Sequence, residues 1–289
     1  TAEKIFRSKN DFDADKELAL ADKLGVCIID ITDQRYPTAL KKIYDPPAVL
    51  YIKGGLLPSD SLAIAIVGSR HCSNYGTEQA ARFAHLLAAS GFTVVSGLAK
   101  GIDSAAHCGA LSAKGRTIAV QGCGLANIFP PENKSLFDKI SKSGACISEL
   151  PMEYEPLAEN FPPRNRIIAG LSLATIVVEA MPRSGALLTA RAALEYNREV
   201  MAIPGKIDSP LSKGPHSLIK QGAKLVESVD DVIETLEFLQ IDFKKHVQQA
   251  SENAVQKVQA QLFDTSKLNL TETEHKILDC LDSEPVHIE

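Results

Sequence analysis

The stretch that decides the fold is LAIAIVGSR, residues 62–70. Six consecutive apolar residues precede Gly68, and an uninterrupted run of this kind is typical of a strand buried on both faces of a parallel sheet. Residues 77–90 follow, with alanine and leucine repeated at helical spacing. A buried strand, a glycine turn and an amphipathic helix in this order predict the first β–α unit of a layered α/β domain.

The same order of strand and helix repeats toward the C-terminus. Further strands are predicted at residues 92–95, 117–120, 145–148, 174–178 and 200–203. Helices are predicted between them, at residues 103–113, 132–141, 164–171 and 184–196, and a last unit covers residues 214–236. Because β–α–β crossovers are right-handed, this alternation predicts a doubly wound, mostly parallel sheet.

The segments on either side differ in composition from this α/β domain, which we place at residues 61–236. Residues 1–60 contain one short helix, an apolar strand at 26–29 and a turn-rich stretch, so we expect a small N-terminal arm packed on the main domain. Residues 237–265 are rich in Gln, Lys and Glu without an apolar stripe, which predicts a linker or a frayed helix. Residues 266–289 suffice for one amphipathic helix, and we expect a truncated C-terminal domain there.

The composition places the chain among ordinary globular proteins. Of its 289 residues, 45% are hydrophobic and 23% are charged, and the formal net charge is −5. No apolar run approaches the roughly 20 residues that span a membrane. The six cysteines are scattered, without a C-x-x-C pair or zinc-like spacing. We therefore expect a cytoplasmic protein without a metal site or a membrane partner.

Motifs of several enzyme classes are absent from the sequence. There is no G-x-G-x-x-G after the first strand, no Walker A sequence, no G-x-S-x-G and no H-E-x-x-H. Asp103 and His107 lie four residues apart on a predicted helix, so one interpretation is that they form a catalytic dyad. The favoured reading is a capping aspartate and a structurally bonded histidine. We predict that the protein is not an enzyme and needs no cofactor.

Glycine-containing loops follow five of the predicted strands. Ligands of open parallel sheets bind at the carboxyl ends of the strands, where such loops gather, and helix-opening N–H groups there favour anions. An alternative is that the glycines only form tight turns. Four of the loops also carry a basic residue, and these residues are Arg70, Lys100, Arg183 and Lys206.

The charge is distributed unevenly along the chain. Residues 62–124 and 161–206 each carry a net charge of +3, whereas the rest of the chain carries −11. A basic rim in an acidic chain is the pattern expected of a site for a polyanion. We expect Arg82 and Arg191 to be solvated helix positions outside that site.

The hexapeptide FPPRNR, residues 161–166, suggests which polyanion binds. Nucleic-acid bases stack on aromatic rings, and guanidinium groups hold phosphates, so Phe161 beside Arg164 and Arg166 favours a nucleic acid over a mononucleotide. The alternative is that Phe161 is a hydrophobic staple for the helix that follows it.

Taken together, these motifs resemble the DNA-processing protein A family (DprA, also called Smf). The matching pieces occur in the family's order. They are GSR (68–70), SGLAKGIDSAAH (96–107), TIAVQGCG (117–124), FPPEN (129–133), ISELP (147–151), FPPRNRIIAGLS (161–172), VVEA (177–180), SGALLTARAALEYNREVMAIPG (184–205) and LIKQGA (218–223).

The resemblance implies an extended Rossmann fold that binds single-stranded DNA and forms a homodimer. It also implies that the protein protects incoming DNA and helps to load a RecA-type recombinase in natural transformation. Residues 266–289 resemble the start of the winged-helix domain of many relatives.

The resemblance also assigns site residues by position. Ser69 and Arg70 match a phosphate-gripping loop, and Phe161 matches a base-stacking aromatic residue. Arg183 and Arg198 fall at basic contacts. Some relatives have a lysine just before the aromatic residue, where this chain has AEN (158–160). The complete set of predicted DNA-binding residues is Ser69, Arg70, Lys100, Phe161, Arg164, Arg166, Arg183, Arg198 and Lys206.

One enzymatic alternative stays open, a nucleotide phosphoribohydrolase of the lysine-decarboxylase-like Rossmann group. Those enzymes also place a loop with Gly and Thr at the start of a helix, as residues 184–189 do here. They need an acid and an arginine at that loop, and Glu179 and Arg183 are available for these roles.

Overall fold

The computed structural model describes residues 13–238. The predicted linker, apart from its first two residues, and the predicted winged-helix segment lie outside the described residues. None of the helices within residues 13–238 combines the length and apolarity needed to cross a bilayer.

Nine strands and nine α-helices form within residues 13–238. The strands are β1 (Val26–Asp30), β2 (Val49–Gly54), β3 (Ala63–Val67), β4 (Thr93–Ser96), β5 (Thr117–Val120), β6 (Ala145–Ser148), β7 (Ala174–Val177), β8 (Glu199–Ala202) and β9 (Lys224–Leu225). The helices are α1 (Ala14–Leu24), α2 (Thr38–Lys41), α3 (Asn74–Ala89), α4 (Ile102–Ser112), α5 (Lys134–Ser143), α6 (Phe161–Leu171), α7 (Gly185–Glu195), α8 (Lys213–Lys220) and α9 (Val229–Phe238).

The strands form one sheet in the order β1-β2-β6-β5-β4-β3-β7-β8-β9. Neighbours from β6 to β9 are parallel. β3 is central: the chain continues from it to β4 on one side, and later returns to β7 on the other. The predicted doubly wound, Rossmann-like fold is thus confirmed, and the order of the strands reverses between β3 and β7. In such sheets the crevice at this reversal binds ligands.

The central strands are buried on both faces, as the apolar run at residues 62–67 predicts. Every residue of β3 is buried, and so are all four residues each of β4, β5, β6 and β7. Val67 and Val177 pack with α6 and α7 on one side of the sheet. Burial of this kind leaves the loops at the strand ends as the exposed part of the parallel sheet.

The N-terminal segment is joined to the domain more closely than the expected arm. β1 and β2 are antiparallel, and β2 pairs with β6, so both strands extend the main sheet. The sequence did not predict β2, because the residues around it are typical of turns. They are Pro46, Pro47, Gly54 and Gly55. These residues bracket the strand: the prolines precede it, and Gly54 ends it.

Candidate nucleic-acid interface

A cleft of about 880 Å³ opens at the carboxyl edge of the sheet, at the reversal between β3 and β7. It lies between the loop after β3 and the first turns of α6 and α7. Five of the nine predicted DNA-binding residues line it, and these are Ser69, Arg70, Phe161, Arg164 and Arg183.

The loop after β3 is held tightly at the edge of the cleft. The backbone N–H of Ser69 donates to the carbonyl of Glu179 at 2.7 Å, and the Ser69 hydroxyl accepts from the N–H of His71 at 3.1 Å. A Cβ atom on Gly68 would lie 2.6 Å from the Ile102 side chain, so this position needs glycine. The loop therefore fixes the backbone of Arg70, whose side chain is exposed.

Phe161 begins α6, and two prolines follow it in the first turn, where their missing N–H groups cost nothing. Its half-exposed ring lies against Gly122, where a Cβ atom would be 2.9 Å from the ring, and its centroid is 5.6 Å from that of Phe129. A hydrophobic staple uses the residue before the N-cap, whereas Phe161 follows the N-cap Asn160, so the ring does not hold the position of a staple. The guanidinium carbon of Arg70 lies over the ring, 5.2 Å from its centroid.

Arg70, Phe161 and Arg183 together form what we call the mouth of the cleft. Both arginines are exposed, and neither side chain makes a hydrogen bond or an ion pair with other residues of the described range 13–238. Arg183 lies just before α7, whose first N–H groups are partly satisfied by the Ser184 hydroxyl, which accepts from Ala186. The mouth thus combines an aromatic ring with two cations whose hydrogen-bond donors are not used by residues 13–238.

Arg164 also lines the cleft, but it is only 5% exposed. Its Nη1 donates to the carbonyl of Gly97 at 2.7 Å and to that of Val120. A Cβ atom on Gly97 would lie 2.2 Å from this Nη1, so glycine is what admits the guanidinium. Burial lowers the pKa of Arg164 to about 10, while Asp103 opposes that shift. Arg164 therefore ties α6 to the ends of β4 and β5, instead of offering its Nη1 to a ligand.

Asp103 and His107 make separate hydrogen bonds, as predicted by the interpretation that both residues are structural. The Asp103 carboxylate accepts from the N–H groups of Gly97 at 3.1 Å and Ala99 at 3.4 Å, and burial raises its pKa. His107 Nδ1 lies 2.7 Å from the Thr117 hydroxyl. Because that hydroxyl donates to a backbone carbonyl, Nδ1 is the donor. Burial lowers the pKa of His107 to about 3, so the ring is neutral.

Arg166 lies away from the cleft, contrary to its predicted place. Two residues beyond Arg164 on an α-helix is more than half a turn, so the side chain emerges on another face of α6. There it pairs with Glu149 at 2.5 Å and with Asp45 at 3.1 Å. These ion pairs neutralise its charge, and the pair with Asp45 joins α6 to the segment before β2.

Arg198 is at the opposite edge of the sheet from the cleft, which corrects its predicted position. It immediately precedes β8, and parallel strands start at the edge opposite to the one where they end. Its half-buried guanidinium donates to the carbonyls of Ala39 at 3.1 Å and Gly170 at 3.5 Å. Burial lowers its pKa. This arginine fastens α2 to the end of α6.

The two predicted lysines lie at the carboxyl edge but outside the cleft. Lys100 is exposed and pairs with Glu132 at 2.6 Å, in the loops after β4 and β5. Lys206 is exposed in the loop after β8. Neither side chain is among those that line the cleft, so both are peripheral to it.

Comparison with known proteins assigns this chain to a family. The model of the family described as DNA recombination-mediator protein A matches residues 27–237. The chain belongs to the DNA recombination-mediator protein A family. This confirms the resemblance that the motifs indicate.

Relatives with curated descriptions agree with this membership. The chain is 44% identical over 220 residues to DNA processing protein DprA of Bacillus subtilis, an alignment that covers 76% of this chain and 74% of that protein. It is 47% identical over 212 residues to protein Smf of Escherichia coli, covering 73% of this chain and 57% of that protein. Each alignment thus leaves part of the relative unmatched.

Solved structures of the family share the fold. DNA processing protein A of Streptococcus pneumoniae has 44% identity and a TM-score of 0.70, covering 78% of both chains. DNA processing protein A of Helicobacter pylori, whose structure concerns its single-stranded DNA binding mode, has 29% identity and a TM-score of 0.65. That match covers 73% of this chain and 95% of the Helicobacter chain.

Within the family fold, the cleft is also lined by residues that sequence reasoning missed. The polar and aromatic ones among them, apart from Asp103, are His71, Phe129, Asn165, Ser184 and Thr189. The spacing offered a signal for two of them: Asn165 is four residues after Phe161, and Thr189 is four residues after Gly185. Residues at this spacing share a face of a helix.

Proposed function

We propose that the protein binds single-stranded DNA in the cleft between β3 and β7. The sugar–phosphate chain lies along Arg70 and Arg183, and one base stacks on Phe161. The observation that carries this proposal is the mouth itself, where the half-exposed Phe161 ring and the exposed Arg70 and Arg183 line one cleft and neither arginine has a hydrogen bond or an ion pair within residues 13–238. Base–aromatic stacking contributes about 1–3 kcal/mol per base and accepts every base, because each has a π-face.

The relative from Helicobacter pylori supports this choice of ligand, since its structure concerns single-stranded DNA binding. Of the nine predicted residues, the proposal keeps Ser69, Arg70, Phe161 and Arg183 as direct contacts. Arg164 supports the mouth from behind, and Lys100 and Lys206 are contacts only for a strand that extends beyond the cleft. Arg166 and Arg198 have no part in it.

In the cell, the protein acts as a recombination mediator in natural transformation. It protects incoming single strands and helps to load a RecA-type recombinase, in the cytoplasm and as a homodimer. Membership of the mediator family supports this role. The proposal assigns no described residue to the contact with the recombinase or to the contact between subunits.

The protein performs this role without catalysis. The acid that the phosphoribohydrolase alternative needs is Glu179, which is 4% exposed and is not among the residues lining the cleft. Its carboxylate accepts from the Ser73 hydroxyl at 2.6 Å and the Ser73 N–H at 2.8 Å, at the start of α3. Incubation with AMP should release no adenine, and release would overturn this part of the proposal.

The absence of tryptophan from the chain offers a direct test of the stacking residue. Phe161→Trp places one fluorophore at the mouth, and single-stranded oligonucleotides should quench it with the same concentration dependence as a gel shift. Tyr44→Trp is the matched control, because Tyr44 is 76% exposed and does not line the cleft. A shifted complex without quenching at position 161 would contradict the proposed path of the strand.

A further inference from the structure

The loop that carries Arg70 is attached at both of its ends to one residue, Glu179, which lies just after β7. At the near end of the loop, the Ser69 N–H donates to the Glu179 carbonyl at 2.7 Å. At the far end, the Glu179 carboxylate accepts from the Ser73 N–H at 2.8 Å and from the Ser73 hydroxyl at 2.6 Å. Residues 70–72 form the part of the loop between these two attachments, so Glu179 limits where Arg70 can lie.

The Glu179 carboxylate lies in a space that a glycine leaves open at the start of α3. Glu179 is 4% exposed, and a Cβ atom on Gly76 would lie 2.3 Å from its Oε2. Ser73 is the N-cap of α3, and its hydroxyl accepts from the Gly76 N–H at 3.1 Å. The start of a helix also favours a negative group. The carboxylate therefore ties the start of α3, and the loop before it, to the end of β7.

No other element takes the place of this attachment at the far end of the loop. Within residues 13–238, the hydrogen bonds of residues 71–73 go to the loop itself, to α3 or to the Glu179 carboxylate. The near end has a second support, because the Ser69 carbonyl accepts from the Ile102 N–H at 3.2 Å. Loss of the carboxylate would therefore release the far end and leave the near end in place.

Glu179 also leads directly into the second arginine of the mouth. Arg183 is four residues after Glu179, and the turn between them is closed by the Ser184 N–H, which donates to the Met181 carbonyl at 2.9 Å. The two cations of the mouth thus lie on different loops, and those loops are joined at Glu179. The separation between the guanidinium groups of Arg70 and Arg183 depends on that junction.

We infer that Glu179 is a positioning residue for the single strand. Its carboxylate holds the Arg70 loop against the end of β7, at the separation from Arg183 at which both guanidinium groups bind phosphates of one strand. The inference rests on the proposed function, and it gives a buried acid a part in affinity without any contact to DNA. An amide at this position has one oxygen for the two Ser73 donors, and its NH2 group would face a donor. Arg70 would then lose its fixed place.

Glu179→Gln tests the inference, because glutamine keeps the size of the side chain. Binding of the full chain to oligothymidylate should weaken by about three- to tenfold, the scale of one lost hydrogen bond. The slope of log K against log salt should fall by up to about 0.7, the contribution of one phosphate contact on a single strand. A purely structural loss would lower the folded fraction and would leave the slope of the folded protein unchanged.

Asp60→Asn is the matched control for the loss of a buried carboxylate. The Asp60 side chain is 9% exposed, and it also accepts from a backbone N–H and a hydroxyl, those of Leu57 at 2.7 Å and Thr93 at 2.8 Å. Asp60 precedes β3, so it lies at the edge of the sheet opposite to the cleft. This variant should lose stability and keep both the affinity and the salt slope of the unchanged protein.

A double-mutant cycle shows whether Glu179 acts through Arg70. In the unchanged protein, Arg70→Ala should weaken binding by its full factor. In the Glu179→Gln background, the same substitution should weaken binding by less than about twofold, because the contact is already impaired. Ser73→Ala removes one of the two donors to the carboxylate and should produce a smaller change of the same kind.

The outcomes distinguish this inference from the proposed function. If Arg70→Ala lowers affinity and slope while Glu179→Gln changes neither, the positioning role is wrong and the proposed function stands. Equal factors for Arg70→Ala in the two backgrounds also overturn the positioning role. If Arg70→Ala itself changes neither affinity nor slope, both proposals fall. If Glu179→Gln does not fold, Ser73→Ala decides by the same measurements, and unchanged affinity and slope in that variant would overturn the inference.

Discussion

The mouth of the cleft and the polar layer directly behind it share one element, α6, but their polar groups have different partners. The mouth consists of Arg70, Phe161 and Arg183, and its exposed cations have no hydrogen bond or ion pair in the part of the chain that the structure describes. The interior layer consists of Asp103, His107 and Arg164, whose groups are buried and bonded mainly to backbone and to Thr117. α6 supplies Phe161 to one and Arg164 to the other. The comparison teaches that substitutions at the mouth should change binding, and substitutions in the interior layer should change stability.

Of the substitutions that test this comparison, Arg164→Ala should have the largest effect. It leaves the buried Asp103 carboxyl without the guanidinium that favours its charged form, and it removes the donor from two backbone carbonyls. We expect a loss of about 3 kcal/mol in the free energy of unfolding, measured by chemical denaturation. Arg70→Ala is the control and should unfold at the same denaturant concentration as the unchanged protein. Equal stability of both variants would erase the distinction between the two regions.

Phe161→Ala should lower affinity for single-stranded DNA by about 1–3 kcal/mol, because one stacked base loses its platform. The ring is half-exposed, so the free energy of unfolding should change much less than for Arg164→Ala. Titration by fluorescence anisotropy with a labelled strand measures the first quantity, and thermal unfolding measures the second. A variant that loses stability and keeps its affinity would show that Phe161 supports the fold and does not contact the strand.

His107 should make stability depend on pH, because its pKa of about 3 in the folded protein lies below the ordinary value of 6.5. The folded state keeps the ring neutral while the unfolded chain gains a proton. The stabilisation is therefore complete above pH 6.5 and is lost as the pH falls toward 3. Between pH 7 and pH 5.5 the free energy of unfolding should drop by about 1 kcal/mol from this group. His107→Gln should remove that part of the pH dependence, and an unchanged dependence would contradict the account.

Arg183→Ala should have the smallest effect, visible in the salt dependence of binding. Each phosphate neutralised on a single strand contributes about 0.7 to the slope of log K against log salt. Arg191→Ala is the matched control, since Arg191 is exposed on α7 but does not line the cleft. The slope should fall for Arg183→Ala and stay the same for Arg191→Ala. Equal slopes for the two variants would show that Arg183 does not contact a phosphate of the strand.

The same contrast explains how much of the molecule could be predicted from its sequence. The buried run before Gly68 and the repeated units predict the parallel sheet, and glycine loops at strand ends predict the edge that bears the cleft. Arg70 and Arg183 follow from that placement, and Phe161 follows from the hexapeptide at residues 161–166. β2 was missed because turn residues flank it on both sides.

The directions of the remaining arginine side chains could not be predicted, because they depend on tertiary contacts far away in the sequence. Arg164 enters the protein through the space left by Gly97, 67 residues earlier in the chain. Arg166 faces Glu149 and Asp45, and the sequence gives no sign of that cluster. Two local signals were available: Arg166 is more than half a helical turn beyond Arg164, and Arg198 precedes a strand and so belongs to the opposite edge.

The salt dependence of single-strand binding for the Arg70→Ala/Arg183→Ala double variant tests the mouth most directly. The account predicts folding like that of the unchanged protein, weaker binding at every salt concentration, and a slope lower by about 1.4 for the two lost phosphate contacts. A double variant that folds and binds with the original affinity and slope would contradict the claim that the mouth holds the strand.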